Sequence, residues 1–314
     1  MRVIVTGAGG FIGSHLAEAL LQQQVTVVGV DSFTDYYDPA LKRARWAVLS
    51  RHPRFHPLAA DILRVDWKRV LLRVDRVFHL AGQPGVRGSF GTGFQAYLDN
   101  NIAATARLLQ ACREAGVERF VNASSSSVYG RVPLPAAEDG PTRPYSPYGV
   151  SKHAAEQLVR VAWENFGLSA VSLRFFTVYG PGQRPDMAFD RFLRAIAAGR
   201  PLTLFGTGAQ TRDFTYVGDI VASLLLAADH APAGSVYNVG GGHRVSLREV
   251  IAMMEEILGK TADLRFAPPQ PGDVADTAAD VRRIQHDLGW SPATPLIDGL
   301  RRQTQSLGSR EAVR

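Results

Sequence analysis

The sequence predicts a doubly wound α/β protein: a parallel sheet covered by helices on both faces, with a second, smaller α/β lobe packed against it. Three observations carry this reading. Short apolar runs recur without the alternation of a half-exposed strand. Segments of helical period separate them, as parallel strands require of their crossovers. A glycine-rich turn directly follows the first run and opens the first helix.

Residues 2–6, Arg-Val-Ile-Val-Thr, form a short buried strand, and a helical pattern runs from the glycine turn through Leu21. Val25–Val30 is the second strand and ends in Asp31. Arg76–Leu80, Arg119–Ala123 and Ala170–Phe176 are further strands, and Phe94–Ala115 and Tyr148–Phe166 are helices between them. Beyond residue 177 the texture changes. Gly180-Pro181-Gly182 breaks the chain, Gly199–Gly208 is rich in turn residues, and prolines stand at 268, 269 and 271. The expected organisation is a sheet domain over 1–177, to which 213–240 return, and a lobe over 178–314. The polar tail from Gln303 is expected to fray.

Composition narrows the function classes. The 314 residues are 46% apolar and 20% charged, a globular mixture with ample surface to bury. The single cysteine, Cys112, excludes an internal disulfide and a CxxC metal site, and it is expected buried and inert. No apolar run approaches the roughly 18 residues that span a bilayer, and the first residues read as a strand, not a signal peptide; a cytoplasmic protein is expected. The net charge is +6, but the basic clusters Lys42–Arg43–Arg45 and Arg301–Arg302 are short and lack interleaved aromatics. They read as solvated surface that favours small anions, not nucleic acid. His79, at a strand end without a ligand-spaced partner, reads as a packed histidine, and Asp35 and Asp38 as turn caps, so no metal is expected.

Gly7, Gly10 and Gly13 give the spacing Gly-x-x-Gly-x-x-Gly between strand and helix. The first allows the tight turn, the second lets a pyrophosphate reach backbone N–H groups at the helix N-terminus, and the third permits close helix–strand packing. Asp31 ends the second strand 24 positions after Gly7. A carboxylate there accepts from both ribose hydroxyls and repels a 2′-phosphate, which favours NAD over NADP.

Tyr148 and Lys152 lie at i and i+4, on one face of a helix. An ammonium beside a phenol favours the phenolate, making Tyr148 a candidate general base. Upstream, Ser124-Ser125-Ser126-Ser127 stands at the C-terminal end of a strand, where ligands bind in parallel sheets and hydroxyls can donate to a reacting oxygen.

With these pieces in place, nearly the whole chain resembles the extended short-chain dehydrogenase/reductases, specifically the NAD-dependent nucleotide-sugar epimerases and dehydratases with their Rossmann domain. The matching pieces are Val5–Gly13, Asp31, Asp61-Ile62, His79–Gly82, Asp99–Asn101, the serine run, Tyr148–Lys152, Arg174–Pro181, Arg212–Phe214 and Pro271–Asp273. The resemblance implies that Gly7, Gly10, Phe11, Ile12, Gly13, Asp31 and Ser32 hold NAD together with Asp61, Ile62, Leu80, Ala81, Gly82 and Asn100, Asn101 being the other candidate asparagine. Tyr148 and Lys152 would touch the cofactor too, Lys152 through the nicotinamide ribose. It also implies a catalytic set of Ser125, Tyr148 and Lys152.

The residues after Ser125 select the reaction. Family dehydratases carry an Asp-Glu pair there, and decarboxylases a glutamate at the position of Ser127. Ser126 and Ser127 cannot do carboxylate acid–base work. Oxidation at C4 of a sugar then has nowhere to go but back, and hydride returning to the other face of a reoriented 4-keto sugar is epimerisation. Arg174–Ala188 looks like the UDP-glucuronate 4-epimerase version of this segment, with Thr177 where hexose epimerases carry asparagine. Gly82, Pro84 and Gly88 depart from that subgroup's usual residues. The implied UDP-sugar contacts are Arg87, Ser126, Ser127, Thr177, Arg184, Met187, Arg212, Gln270 and Asp273, with Arg184 and Thr177 on the sugar carboxylate. Phe192, Leu204 and Phe205 are candidates to wall the uracil, or simply core. Arg212 and Arg184 have bland readings as ion pairs with Asp213 and Asp186.

The competing functions are a UDP-glucose/UDP-galactose 4-epimerase, a simple dehydrogenase, and a non-enzymatic binding member of the fold; the intact Tyr148/Lys152 pair opposes the last. Apolar stripes on 94–115 (Phe94, Leu98, Ile102, Ala106, Leu109) and 148–166 (Ala155, Leu158, Val159, Ala162, Phe166) exceed what one sheet face needs. Together with the resemblance they imply a homodimer through these helices.

Overall fold

The structure is a computed structural model that describes residues 1–242 and 244–311, with side chains described through Leu307. Among these residues the strands are β1 (Arg2–Thr6), β2 (Thr26–Asp31), β3 (Phe55–Ala59), β4 (Arg76–His79), β5 (Arg119–Ser125), β6 (Ala170–Phe175), β7 (Thr177–Tyr179), β8 (Leu202–Phe205), β9 (Thr211–Tyr216), β10 (Val236–Val239), β11 (Arg244–Ser246) and β12 (Leu264–Ala267). The helices are α1 (Phe11–Gln22), α2 (Pro39–Leu49), α3 (Trp67–Val70), α4 (Phe94–Tyr97), α5 (Ala104–Ala115), α6 (Pro147–Phe166), α7 (Ala188–Ala197), α8 (Val217–His230), α9 (Leu247–Leu258), α10 (Arg282–Leu288) and α11 (Leu296–Glu311).

Seven strands form one sheet in the order β10-β6-β5-β4-β1-β2-β3, every neighbour parallel. Its central strands are apolar on both faces, as the uninterrupted runs require: Val3, Ile4, Val5, Val77 and Phe120 have no exposed surface. Leu16 and Leu20 of α1 with Ile220 and Leu224 of α8 cover one face. Trp67 of α3, Leu108 and Cys112 of α5 and Val159 of α6 cover the other. The strand order reverses direction between β1 and β4, and ligands of doubly wound sheets bind in the crevice outside such a switch point.

Of the segment expected to return to the large sheet, α8 and β10 do so. Residues 213–216 instead belong to β9, which lies between β11 and β7 in a separate three-stranded sheet. With the β8–β12 pair and helices α7, α9 and α11, that sheet builds the second lobe around Phe189, Leu193, Leu204, Phe214, Met254 and Leu300. Phe192 and Leu204 belong to this core, 3% and 1% exposed.

The expected helix over 94–115 is helical throughout, with a π-helical stretch, Leu98–Ala103, between α4 and α5. One expectation changes. The tail expected to fray from Gln303 is helical through Glu311, and Gln303 is buried, accepting from the Gly180 amide (2.9 Å). Residues 312–314 of that tail lie outside the described residues.

Candidate active site

The glycine turn lies at the C-terminal end of β1. Gly7 has φ +71°, and a Cβ on Gly13 would stand 2.1 Å from the Gly7 carbonyl oxygen, so backbone meets backbone at both positions. α1 starts at Gly10 with no side-chain cap and no acidic residue in its first turn. Its unpaired amides and positive dipole end are therefore left for an anion. Asp31 is oriented by two backbone donors, Gly9 N at 3.0 Å and Phe33 N at 2.8 Å. Thr6 Oγ1 accepts from the Leu80 and Ala81 amides (3.1 Å each), which fixes the chain leaving β4.

One cavity gathers Gly7, Gly10, Phe11, Ile12 and Gly13 with Asp31 and Ser32 after β2, Asp61 and Ile62 after β3, Leu80, Ala81 and Gly82 after β4, and Asn100. An open helix N-terminus at one place in it and an oriented carboxylate at another suit the pyrophosphate and ribose of a dinucleotide. Asn101 does not line this cavity. It is buried and clamped to Gln83, accepting from its N–H (2.7 Å) and donating to its carbonyl (3.0 Å), and it donates to Ser151 (2.8 Å).

The cavity also holds Thr34, Tyr36, Tyr37, Lys42, Gln83 and Pro84, which the sequence reading left out. Lys42 corrects the view of its cluster as solvated surface. It is 6% exposed, donates to the Thr34 carbonyl (2.7 Å) and lies 4.6 Å from the centre of the Tyr37 ring. The available signal was its place near the start of a helix whose N-cap is Asp38 and whose first residue is Pro39. His79 is a packed histidine between the hydroxyls of Thr6 and Thr105, both at 2.9 Å, and burial drives its ring down to about 3.

α6 starts sharply. The Ser146 hydroxyl accepts from the Gly149 amide and Pro147 occupies the first turn, which fixes Tyr148 beside the end of β5. The Ser125 hydroxyl accepts from the Ser127 amide (3.2 Å), and the Tyr97 ring stands against the Tyr148 ring at 6.1 Å. Burial pushes the Tyr148 phenol above its ordinary range, while the Ser125 hydroxyl and the charge of Arg184 pull it down. The Lys152 ammonium donates to the Ala123 carbonyl, and burial brings it down to about 8 against the opposing effect of Glu156.

Arg184 lines the same cavity as the glycine turn and makes two bonds to Asp186, at 3.0 and 2.9 Å, as its bland reading anticipated. Thr177 lies in a neighbouring cavity with Ser126, Ser127, Arg212 and Asp273, so the structure does not gather Arg184 and Thr177 in one pocket. Arg212 is not paired with Asp213; its guanidinium donates to the Thr211 and Ala275 carbonyls (2.8 Å each). Asp213 is fully buried and accepts from the Gly241 and Ala279 amides. Arg87 bridges to Asp273 (2.8 Å) and lies over the Phe205 ring. Met187 precedes α7 and Gln270 donates to the Pro268 carbonyl; neither lines the two cavities. Among the described residues no cluster of three or more His, Cys, Asp or Glu side chains could hold a metal, and no helix is long and apolar enough to cross a membrane.

Known proteins share this arrangement. The model of the NAD dependent epimerase/dehydratase family matches residues 3–240. The "Uncharacterized UDP-glucose epimerase YtcB" of Bacillus subtilis is 43% identical over 98% of both chains. The "UDP-glucuronate 4-epimerase" of Thermodesulfobacterium geofontis is 36% identical, covering 95% of this chain and 94% of its own. The crystal structure of UDP-glucuronic acid 4-epimerase from Bacillus cereus, in complex with UDP-glucuronic acid and NAD, superposes with a TM-score of 0.96 at 42% identity, over 99% of this chain and 100% of that one. The glycine turn, the oriented Asp31 and the Ser125–Tyr148–Lys152 group are thus those of a chain that belongs to the NAD dependent epimerase/dehydratase family.

Proposed function

We propose that the chain epimerises C4 of a UDP-sugar with NAD, converting UDP-glucuronate to UDP-galacturonate. The observation that carries this is the serine wall. Ser126 and Ser127 line the second cavity at the end of β5, where eliminating or decarboxylating enzymes need carboxylates. A bound dinucleotide would supply a reversible hydride acceptor, and the glycine turn, Asp31, Ser32, Asp61, Ile62, Leu80–Gly82, Asn100 and Lys152 would hold it. Tyr148 takes the proton of the C4 hydroxyl as hydride leaves C4, and returns it when hydride comes back on the other face of the 4-keto sugar. Ser125 hydrogen-bonds the same oxygen. The desolvated phenol needs these aids, since burial alone opposes the phenolate.

Arg212, Arg87, Gln270 and Asp273 are proposed for the UDP moiety, with Arg212 as phosphate partner. Ser126, Ser127, Thr177, Met187 and Arg184 are proposed for the sugar, Arg184 meeting its carboxylate. Relatives named for UDP-glucuronate support the acidic sugar. A neutral UDP-hexose is the second reading: Asp186 already engages Arg184, and the Bacillus subtilis relative carries a UDP-glucose name. Assaying both UDP-sugars for the 4-epimer decides between them, and epimer formation must occur without net NADH. A homodimer through the 94–115 and 148–166 segments fits the exposure of Phe166 (57%) and Val161 (40%). A cytoplasmic setting suits the free thiol of buried Cys112.

A further inference from the structure

A buried polar cluster whose Tyr129 also lines the second cavity lies at the end of β5. Glu156 and Arg174 are 3% and 4% exposed. Arg174 donates through Nη2 to Glu156 Oε1 (2.5 Å) and through Nε to Oε2 (3.0 Å), and Ser124 Oγ donates to the same Oε2 (2.7 Å). Arg174 Nη1 continues to the Tyr129 hydroxyl (2.8 Å), which donates to Asn238 on β10 (2.7 Å). The cluster therefore joins α6, β5, β6 and β10. Stability alone is a weak reason for it, since apolar residues of similar volume commonly replace such buried pairs at no loss. Its position suggests another reason. Glu156 is one helical turn beyond Lys152, and Ser124 separates Ala123, which accepts from the Lys152 ammonium, from Ser125.

We propose that Glu156 and Arg174 form a positioning platform for the site: Arg174 holds Glu156 one helical turn from Lys152, and the bond of Glu156 to Ser124 holds the strand end that presents Ser125. Facing Lys152 are Tyr148 and Glu156 of its own helix and His79 of β4, with Arg174 of β6 behind Glu156. His79 is neutral at working pH, so Glu156 is the nearby anion that offsets burial of the ammonium. Glu156 acts on Lys152 as an opposite charge, and Arg174 holds Glu156 in place through two bonds.

This inference rests on Tyr148 and Lys152 serving the reaction, which Tyr148→Phe tests separately. Its own test is the alkaline limb of the pH profile of kcat in three variants. Glu156→Gln should move the limb down by about one pH unit, the low end for loss of a neighbouring opposite charge. Arg174→Met leaves buried Glu156 without its counter-charge and should move it down as well. Glu156→Leu combined with Arg174→Met, which keeps an apolar packed pair, should move it down by less than Glu156→Gln. NAD released by acid from protein held across the same pH series should be lost at pH values displaced in the same order. An unmoved limb in the double variant overturns the proposal even if the single variants fail to fold. So does an upward shift in Glu156→Gln. If Tyr148→Phe stays active, the base assignment fails instead.

Discussion

Arg184→Ala should separate an acidic from a neutral sugar. The guanidinium is 19% exposed and already oriented by its two bonds to Asp186, so little ordering remains when it meets a ligand. Truncating one partner of an enclosed charge-assisted contact costs roughly 2–5 kcal/mol. Asp186 occupies Nε and Nη2 and opposes a second anion, which places this site in the lower half: about 2–3 kcal/mol, or roughly 30- to 150-fold in kcat/KM for UDP-glucuronate. UDP-glucose makes no such contact. It should lose less than about tenfold, through Tyr148 alone. Arg184 pulls the phenol down, so its removal moves the phenol up and shifts the base limb of the profile to higher pH. The fraction of decarboxylated product should rise, because the 4-keto glucuronate is a β-keto acid whose carboxylate is no longer pinned. The assay is kcat/KM for both sugars, with product analysis, in wild type and variant. An equal loss on the two sugars would refute the carboxylate contact and leave Arg184 to UDP, the cofactor or structure.

Other outcomes follow from the same structure. Tyr148→Phe should retain acid-releasable NAD while turnover falls roughly 10²–10⁴-fold; near-normal turnover rules Tyr148 out as base. Gly13→Ala would drive a Cβ to 2.1 Å from the Gly7 carbonyl oxygen, so the purified variant should carry no NAD and melt at lower temperature; stoichiometric NAD in it would contradict the turn's role. Phe166→Asp, at a residue 57% exposed on the proposed dimer face, should reduce the light-scattering mass from twice 34.1 kDa to a single chain with the melting temperature little changed. A single-chain mass for the unaltered protein would refute the dimer itself.

The sequence by itself determined the large sheet and the dinucleotide end of the site. Buried parallel strands need uninterrupted apolar runs, and β1, β2, β4, β5 and β6 announce themselves that way. A backbone-to-backbone approach as close as that at Gly7 and Gly13 admits only glycine, so spacing reveals it. Edge strand β3 escaped because Phe-His-Pro-Leu-Ala exposes much of its length and carries a proline that only an edge tolerates. The chain also could not tell that β9 leaves the large sheet, since period-two pattern says nothing of which neighbour a strand takes. Tertiary structure alone decided the charges. Lys42 and Arg45 look like surface residues until Thr34 and Gly182 close on them. Likewise, Arg184, remote in sequence, brings a positive charge to bear on Tyr148. Burial and the nearest counter-charge set an ionisable group's behaviour, and both depend on which distant segments the fold brings within a few ångströms.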